Sequence, residues 1–342
     1  MSEDTIFKAP PVVAVVGATG HTAHFVINEL LRRKMSPVAI ARNSETLAKA
    51  RFSGDVIRRH ARLDDPESLD SALRGARAVI NCAGPFIDSA HYVAAAAVRA
   101  RMHYLDVAAE EPSARRTLET FDAPARKAGI VVLPSVAFYG AFGDLLVTAA
   151  RGDWDSADAV DLMIGLDSWH PTLGTRKTIA RLSDLQEAAT PSRESPPPLK
   201  KYWDFGDPLG SQQVVEFSFT EKLLILRHIR TSALRIYLST VALSDVGDPS
   251  TPTPTAVDEV GRSAQRFVVE AVVAHGSERR RALASGIDSY AFTAPLACEV
   301  VARLLDAKFR AAGAYAAGEI LDAREILTAL SPEPLAFAVS AL

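Results

Sequence analysis

The chain has 342 residues, 48% of them hydrophobic, with 38 Lys and Arg against 41 Asp and Glu and a formal net charge of -3. That length and apolar content support two domains with a sizeable core and exclude global disorder, and the near-neutral balance removes any electrostatic reason to expect DNA or RNA as a partner. The only cysteines are Cys82 and Cys298, so a disulfide framework and a Cys-rich metal site are excluded, and no apolar run reaches the roughly 18 residues of a membrane span.

The opening MSEDTIFKAPP is acidic and lacks the basic end and long apolar stretch of a secretion signal, so a cytoplasmic location is expected. PVVAVVG (11–17) reads as a buried strand and HTAHFVINELLRRK (21–34) as an amphipathic helix. SPVAIAR (36–42) is a second strand, SETLAKARF (44–52) a helix, and DVIRRHARLDD (55–65) holds a short third strand. PESLDSALRG (66–75) opens on Pro66 and closes at Gly75, a helix frame. ARAVINCAGPF (76–86) is a fourth strand ending in a turn, followed by the helix DSAHYVAAAAVRARM (88–102). HYLDVAA (103–109) is a strand end, ARRTLETFDAPARKAG (114–129) a helix and IVVLPSVAF (130–138) a sixth strand. This alternation predicts a doubly wound parallel sheet.

Further on, DAVDLMIGLD (158–167), SQQVVEFSFT (211–220), LRIYLSTVAL (234–243) and AQRFVVEAVVAHG (264–276) read as strands, with one clear helix, GTRKTIARLSDLQEAA (174–189), among them. They predict a second α+β domain with a mixed or antiparallel sheet. TPSRESPPPLKKYWDFGDPLG (190–210) and SDVGDPSTPTPTAVDEVG (244–261) read as loops, ERRR (278–281) as a surface turn, and the Ala-rich stretch from about Tyr290 as helical. The expected division is 1–135 for the parallel α/β domain, 136–285 for an α+β domain, and 286–342 for a helical segment returning to the first domain.

The join of first strand and first helix is Gly17-Ala18-Thr19-Gly20-His21-Thr22. Gly17 permits a tight turn. Gly20 lets backbone approach a pyrophosphate, and free N–H groups at the helix start point at the anion. The spacing is G-x-x-G-x-x-A, with Ala23 in a place that needs only smallness. An ordinary tight turn is the alternative, but the strand before and helix after favour a dinucleotide loop. At the end of the second strand stand Arg42 and Asn43, with no Asp or Glu to meet a ribose 2′-hydroxyl. An arginine pairs with a 2′-phosphate, so NADP(H) is expected over NAD(H). Asp64 after the third strand is placed to meet an adenine amino group, and the small residues of Cys82-Ala83-Gly84-Pro85-Phe86 let cofactor lie on backbone.

With GATGHT, ARN, NCAGPF and HYLDVAAE in this order, and GDLL (143–146) and GIDSYAFTA (286–294) later, the chain resembles the saccharopine dehydrogenase-like NADP-binding family. The resemblance covers most of the chain. It implies a Rossmann domain, NADP(H) and an oxidoreductase. That family includes reductases of imines from amino acids, lysine-pathway enzymes and enoyl reductases, so it leaves the reaction open. Ala109 stands where the family's YLDLTGE has glycine, and the middle of the chain is short for a saccharopine-forming enzyme, which speaks against saccharopine as substrate.

Hydride transfer needs geometry, a dry pocket and often one proton donor. No lysine has a tyrosine four residues before it, which removes the short-chain dehydrogenase machinery. The candidates are Tyr139 in SVAFYGAFGD, His170 in DSWHPTLGTRK and Asp106 at the end of the fifth strand. A core aromatic, an incidental loop histidine and a turn-capping carboxylate are their respective structural alternatives. Tyr104, Glu110, His91, Trp169, Thr172, Thr175, Arg176 and Lys177 stand nearby in the sequence. No H-E-x-x-H, C-x-x-C or clustered acid/His set suggests a metal. The expected function is NADPH-dependent reduction of a C=N, C=C or C=O bond in a small molecule. Alternatives are an enoyl reductase for a lipid or polyketide, with an apolar cleft, and a non-catalytic NADP(H) sensor or scaffold. No nucleic acid and no membrane span are expected as partners, and a homodimer is plausible by fold-level analogy.

Overall fold

The five apolar residues VVAVV form β1 (Val12–Val16), which alternates its side chains between two apolar layers. The computed structural model describes residues 9–188 and 199–342. After β1 come α1 (His21–Arg32), β2 (Ser36–Ala41), α2 (Ser44–Lys49), β3 (Ile57–His60), α3 (Pro66–Leu73), β4 (Ala78–Asn81), α4 (Phe86–Ala100), β5 (His103–Asp106), α5 (Glu111–Ala128) and β6 (Val131–Leu133). A π-type turn, Phe138–Phe142, then leads into α6 (Gly143–Arg151), β7 (Ser156–Ala157), β8 (Ala159–Leu166) and α7 (Leu173–Ala188). The chain continues with β9 (Lys200–Asp204), β10 (Ser211–Glu216), α8 (Glu221–Ile225), β11 (Arg230–Thr231), β12 (Leu234–Ser239), α9 (Thr240–Gly247), β13 (Arg266–His275) and β14 (Glu278–Ile287). It closes with α10 (Ser289–Leu304), β15 (Gly313–Ala314), α11 (Ala317–Ile320), α12 (Ala323–Ala329) and β16 (Leu335–Ala341).

The first sheet has the order β15-β6-β5-β4-β1-β2-β3, and every pairing in it is parallel. This is a Rossmann arrangement, with the order reversing between β1 and β4, where ligands bind in such sheets. Val13 and Val15 meet Ala23, Ile27 and Leu30 on one face, while Ala14 and Val16 meet Leu69, Val93 and Ala97 on the other. Burial on both faces explains why the central strands are continuously apolar.

The second sheet has the order β16-β14-β13-β8-β12-β10-β9 and is mixed: β8 and β12 are parallel, and the other pairings are antiparallel. Helix α6 packs on β13 and β14, and α10 packs along α1. Arg33 at the end of α1 is paired with Glu299 of α10 at 2.5 Å, so the C-terminal part ties the two sheets into one apolar core.

Four local expectations change. ERRR is not a turn but opens β14, where Arg281 pairs with Glu270 across the ladder; the hairpin turn falls on Gly276 and Ser277. KKYWD is not loop but β9, an edge strand on β10, and 205–210 form the turn between them; residues 190–198 of that expected loop lie outside the described residues. LRIYLSTVAL breaks at Ser239, and α9 begins at Thr240. The segment after Tyr290 is not helical throughout: LAFAVSA alternates with a period of two and adds β16 to β14. Among the described residues no helix is long and apolar enough to cross a membrane.

Candidate functional site

At the carboxyl ends of the first sheet lies a cleft of about 990 Å³, closed on the far side by α7, the segment after β10, α9 and the start of α10. Its floor is the GATGHT turn. Gly17 has φ +79°, and a Cβ built on it would stand 2.8 Å from the backbone of Ala83. Only glycine satisfies both the dihedral and the contact. The amides of Gly17 and Ala18 donate to the Ile40 carbonyl, tying the turn to the end of β2. Gly20 is the N-cap of α1 and supplies no side-chain acceptor, and the first turn of the helix holds no acidic residue. The N-terminal N–H groups and the positive end of the helix dipole are thus left for an external anion.

Gly17, Thr19, Gly20, His21, Thr22, Arg42, Cys82, Ala83, Gly84, Pro85, Phe86 and Tyr139 all line this cleft. The Arg42 guanidinium makes no hydrogen bond or ion pair among the described residues, while its carbonyl meets His60 Nε2 at 3.0 Å. Burial lowers the His21 pKa, which favours the neutral imidazole, and its buried Nε2 has no partner among the described residues. The Cys82 thiol is pushed up by burial and stays protonated.

Five expected site residues are not brought to the cleft. Ala18 is buried behind the turn. Asn43 is the N-cap of α2 and accepts the Thr46 amide at 2.8 Å. Asp64 is exposed and paired with Arg62 at 2.7 Å. His170 sits off the cleft, its amide donating to Gln265 at 2.5 Å.

Asp106, the fifth, is fully buried behind the floor. Its carboxylate accepts the amides of Ser135 (2.7 Å) and Ala108 (3.1 Å) and the Tyr104 hydroxyl (2.8 Å). That clamp holds a strained turn in which Ser135 has φ +59° and Gly140 φ +138°; a Cβ at Gly140 would stand 2.6 Å from the Ser135 carbonyl oxygen. The turn presents Tyr139. Asp106 therefore holds the turn that carries Tyr139 and does not touch the cleft.

Burial outweighs these three hydrogen bonds and pushes the Asp106 carboxyl up to about 6. The unfolded chain loses this proton near pH 4 and the folded chain near 6, so the folded state binds more protons between those values. Stability falls as pH rises through that window, by about 3 kcal/mol from this group. Asp106→Asn has no such titration. Urea unfolding of both proteins at pH 4, 5, 6 and 7 is expected to show the wild type losing stability relative to the variant up to pH 6. A constant difference across the series rules out a raised Asp106.

The far wall is aromatic. Tyr139 is only 7% exposed, its ring lies 4.8 Å from Trp169 and 4.4 Å from Phe219, and Phe217 extends the group at 4.9 Å from Phe219. The Tyr139 hydroxyl is buried and has no hydrogen-bond partner among the described residues, and burial raises its pKa well above that of free tyrosine. Beneath it, the Glu221 carboxyl accepts the Phe219 amide at 2.9 Å and is pushed up by burial to about 7.

Helix α7 is pinned across the cleft. Tyr290 Oη accepts from Trp169 Nε1 (2.8 Å) and shares a hydrogen bond with Thr175 (2.9 Å). Thr178 donates to Glu110 at 3.2 Å. The Glu110 carboxylate also accepts the amides of Phe86 and Ile87, both at 2.7 Å, at the start of α4. Sequence reasoning missed Tyr290, Phe217, Phe219 and Thr293 as cleft residues. Tyr290 and Thr293 stand within GIDSYAFTA, so that motif carried a signal. The phenylalanines had only the F-S-F spacing after a strand, which any core strand shares.

Residues 13–133 match the family model described as the saccharopine dehydrogenase NADP binding domain. No curated protein matches the chain. Among solved structures, apo histidine-tagged saccharopine dehydrogenase (L-Glu forming) from Saccharomyces cerevisiae is 14% identical with a TM-score of 0.63, over 97% of this chain and 100% of that one. The likeness is one of fold. GenD2 from gentamicin A biosynthesis, in complex with NAD, is 13% identical with a TM-score of 0.43, over 99% of each chain. Vestitone reductase from alfalfa (Medicago sativa) is 20% identical with a TM-score of 0.23, over 28% of this chain and 35% of that one.

Proposed function

From the premise that the chain carries a saccharopine dehydrogenase NADP-binding domain at residues 13–133, we propose that it is an NADPH-dependent reductase of a small unsaturated molecule. The observation that carries this reading is the unpartnered Tyr139 hydroxyl, buried in the same cleft as the GATGHT turn. A buried hydroxyl without a partner costs about 1–3 kcal/mol, a cost that a hydrogen bond to substrate removes.

The residues present fit a phosphorylated dinucleotide. The Gly17–Thr22 turn would hold the pyrophosphate on bare backbone amides, and the uncommitted Arg42 guanidinium would pair with the 2′-phosphate. When bound, NADPH supplies a hydride. The chain's own part is to orient the substrate, exclude water with the aromatic wall and α7, and hold a proton at Tyr139 Oη. Its raised pKa keeps that proton in place at neutral pH. The hydroxyl hydrogen-bonds the substrate heteroatom on which negative charge builds.

Calorimetric titration of cofactor-free protein tests the cofactor half. NADPH is expected to bind at least about tenfold more tightly than NADH, and Arg42→Ala to weaken NADPH by about 10- to 100-fold, as loss of a charge-assisted contact does, with NADH unaffected. Equal affinity for the two cofactors in the wild type removes Arg42 from the reading. No binding of either removes the reductase.

A further inference from the structure

The charged residues among those described as lining the cleft are Arg42, Asp88, Glu110 and Lys177. Arg42 belongs to the cofactor end, beside β2. Asp88 is held by Arg181 at 3.0 Å, and Glu110 is committed to two backbone amides and Thr178. The neighbouring Arg176 donates to the carbonyls of Asp248 and Thr251 and is likewise occupied. Lys177 alone is left for a substrate charge. A substrate assembled from two amino acids carries several carboxylates and amines, and each desolvated charge needs a partner. This cleft does not provide them.

What it does provide is apolar surface at two depths. Deep in the cleft, Tyr139, Trp169 and Phe219 form a continuous aromatic face. At the mouth, Phe217, Leu173 and Ile179 line the cleft while remaining 39%, 68% and 40% exposed. Large apolar side chains left in water beside an enclosed aromatic face mark a surface that a ligand covers. The phenylalanines come from the segment that follows β10 of the second sheet, across the cleft from the dinucleotide turn, so a cofactor lying on that turn does not account for them.

We infer that the substrate is a flat, apolar, conjugated carbonyl compound carrying no amino group and at most one carboxylate. Its conjugated part stacks on Trp169 and Phe219 within reach of the Tyr139 hydroxyl, and its apolar remainder crosses Phe217 and Leu173 to the mouth. A single carboxylate, where present, meets Lys177. This inference rests on the reductase reading. It selects, among C=N, C=C and C=O substrates, those whose double bond is conjugated with an apolar body.

The test is binding to the full chain loaded with NADP⁺, read by Trp169 fluorescence. Trp154 and Trp203 do not line the cleft, so Trp169→Phe supplies the blank. Titration with trans-4-phenylbut-3-en-2-one, a flat neutral enone, is expected to quench Trp169 at sub-millimolar concentration. Phe217→Ala, a partly exposed site whose truncation leaves the core intact, is expected to weaken that binding at least fivefold with NADP⁺ affinity unchanged. L-saccharopine is expected to leave the signal flat. Saccharopine binding as tightly as the enone overturns the inference, as does an enone titration that is flat to several millimolar or indifferent to Phe217→Ala. Failure of NADP⁺ itself to bind, measured first, sinks the reductase reading instead.

Discussion

Tyr139→Phe is expected to lower kcat by about 100-fold or more, the range of a lost proton donor, and at the same time to make the protein more stable. The two effects have one cause. The hydroxyl is buried without a partner, so the folded protein bears its desolvation cost, and removing the oxygen relieves about 1 kcal/mol. The ring keeps its contacts with Trp169 and Phe219, so neither packing nor NADPH affinity changes. Thermal unfolding and single-turnover NADPH oxidation are the two measurements. Tyr104→Phe is the contrast: that hydroxyl donates to Asp106 at 2.8 Å, so its removal is expected to destabilise. An unchanged kcat in Tyr139→Phe assigns the proton to water, and a loss of stability means that the hydroxyl has a partner within the fold.

The second large effect is expected at the floor of the cleft. Gly17→Ala places a methyl group 2.8 Å from the Ala83 backbone at φ +79°. The left-handed dihedral alone costs about 1–2 kcal/mol, and the clash is with backbone of the β4 turn rather than a side chain that can swing away. A loss of about 3 kcal/mol or more and abolished NADPH binding are expected. Gly20→Ala separates the two consequences. Gly20 has φ -79°, and its added methyl meets the Gly17 carbonyl oxygen at 3.2 Å and the Cys82 carbonyl oxygen at 3.9 Å. An N-cap change from glycine to alanine costs about 1 kcal/mol in a helix, well below the loss expected at Gly17, and the methyl occupies the approach to the α1 amides. Gly20→Ala is therefore expected to lose only about 1 kcal/mol of stability and to bind NADPH at least about tenfold more weakly. If Gly20→Ala binds NADPH normally, the anion does not lie on that turn. If Gly17→Ala does, the contact with Ala83 is relaxed at no cost.

By itself the sequence determined the first sheet and the glycine turn at its first strand–helix join. Both rest on local rules: apolar runs of strand length, a glycine turn between strand and helix, and alternation that leaves a parallel sheet as the compact solution. The same rules singled out Arg42, which the fold brings to the cleft, since a strand end is a local feature. Asn43 and Asp64 stand in equally suggestive places, yet one caps α2 and the other pairs with Arg62, because a short polar side chain takes the nearest partner and the sequence does not say which is nearest. The sequence offers both Tyr139 and His170 as proton donors. Only the fold turned one ring into the cleft and left the other outside it.

The tertiary structure decided the rest for a physical reason. The far wall is made of residues distant along the chain, Tyr139, Trp169, Phe219 and Tyr290, brought together by two sheets that share one core. Aromatic contact and the absence of a hydrogen-bond partner belong to that three-dimensional arrangement and have no period in the sequence. Asp106 makes the same point: its four-letter neighbourhood HYLD reads as a strand end facing a ligand, but burial turned the carboxylate inward to bind the amides of the turn that carries Tyr139.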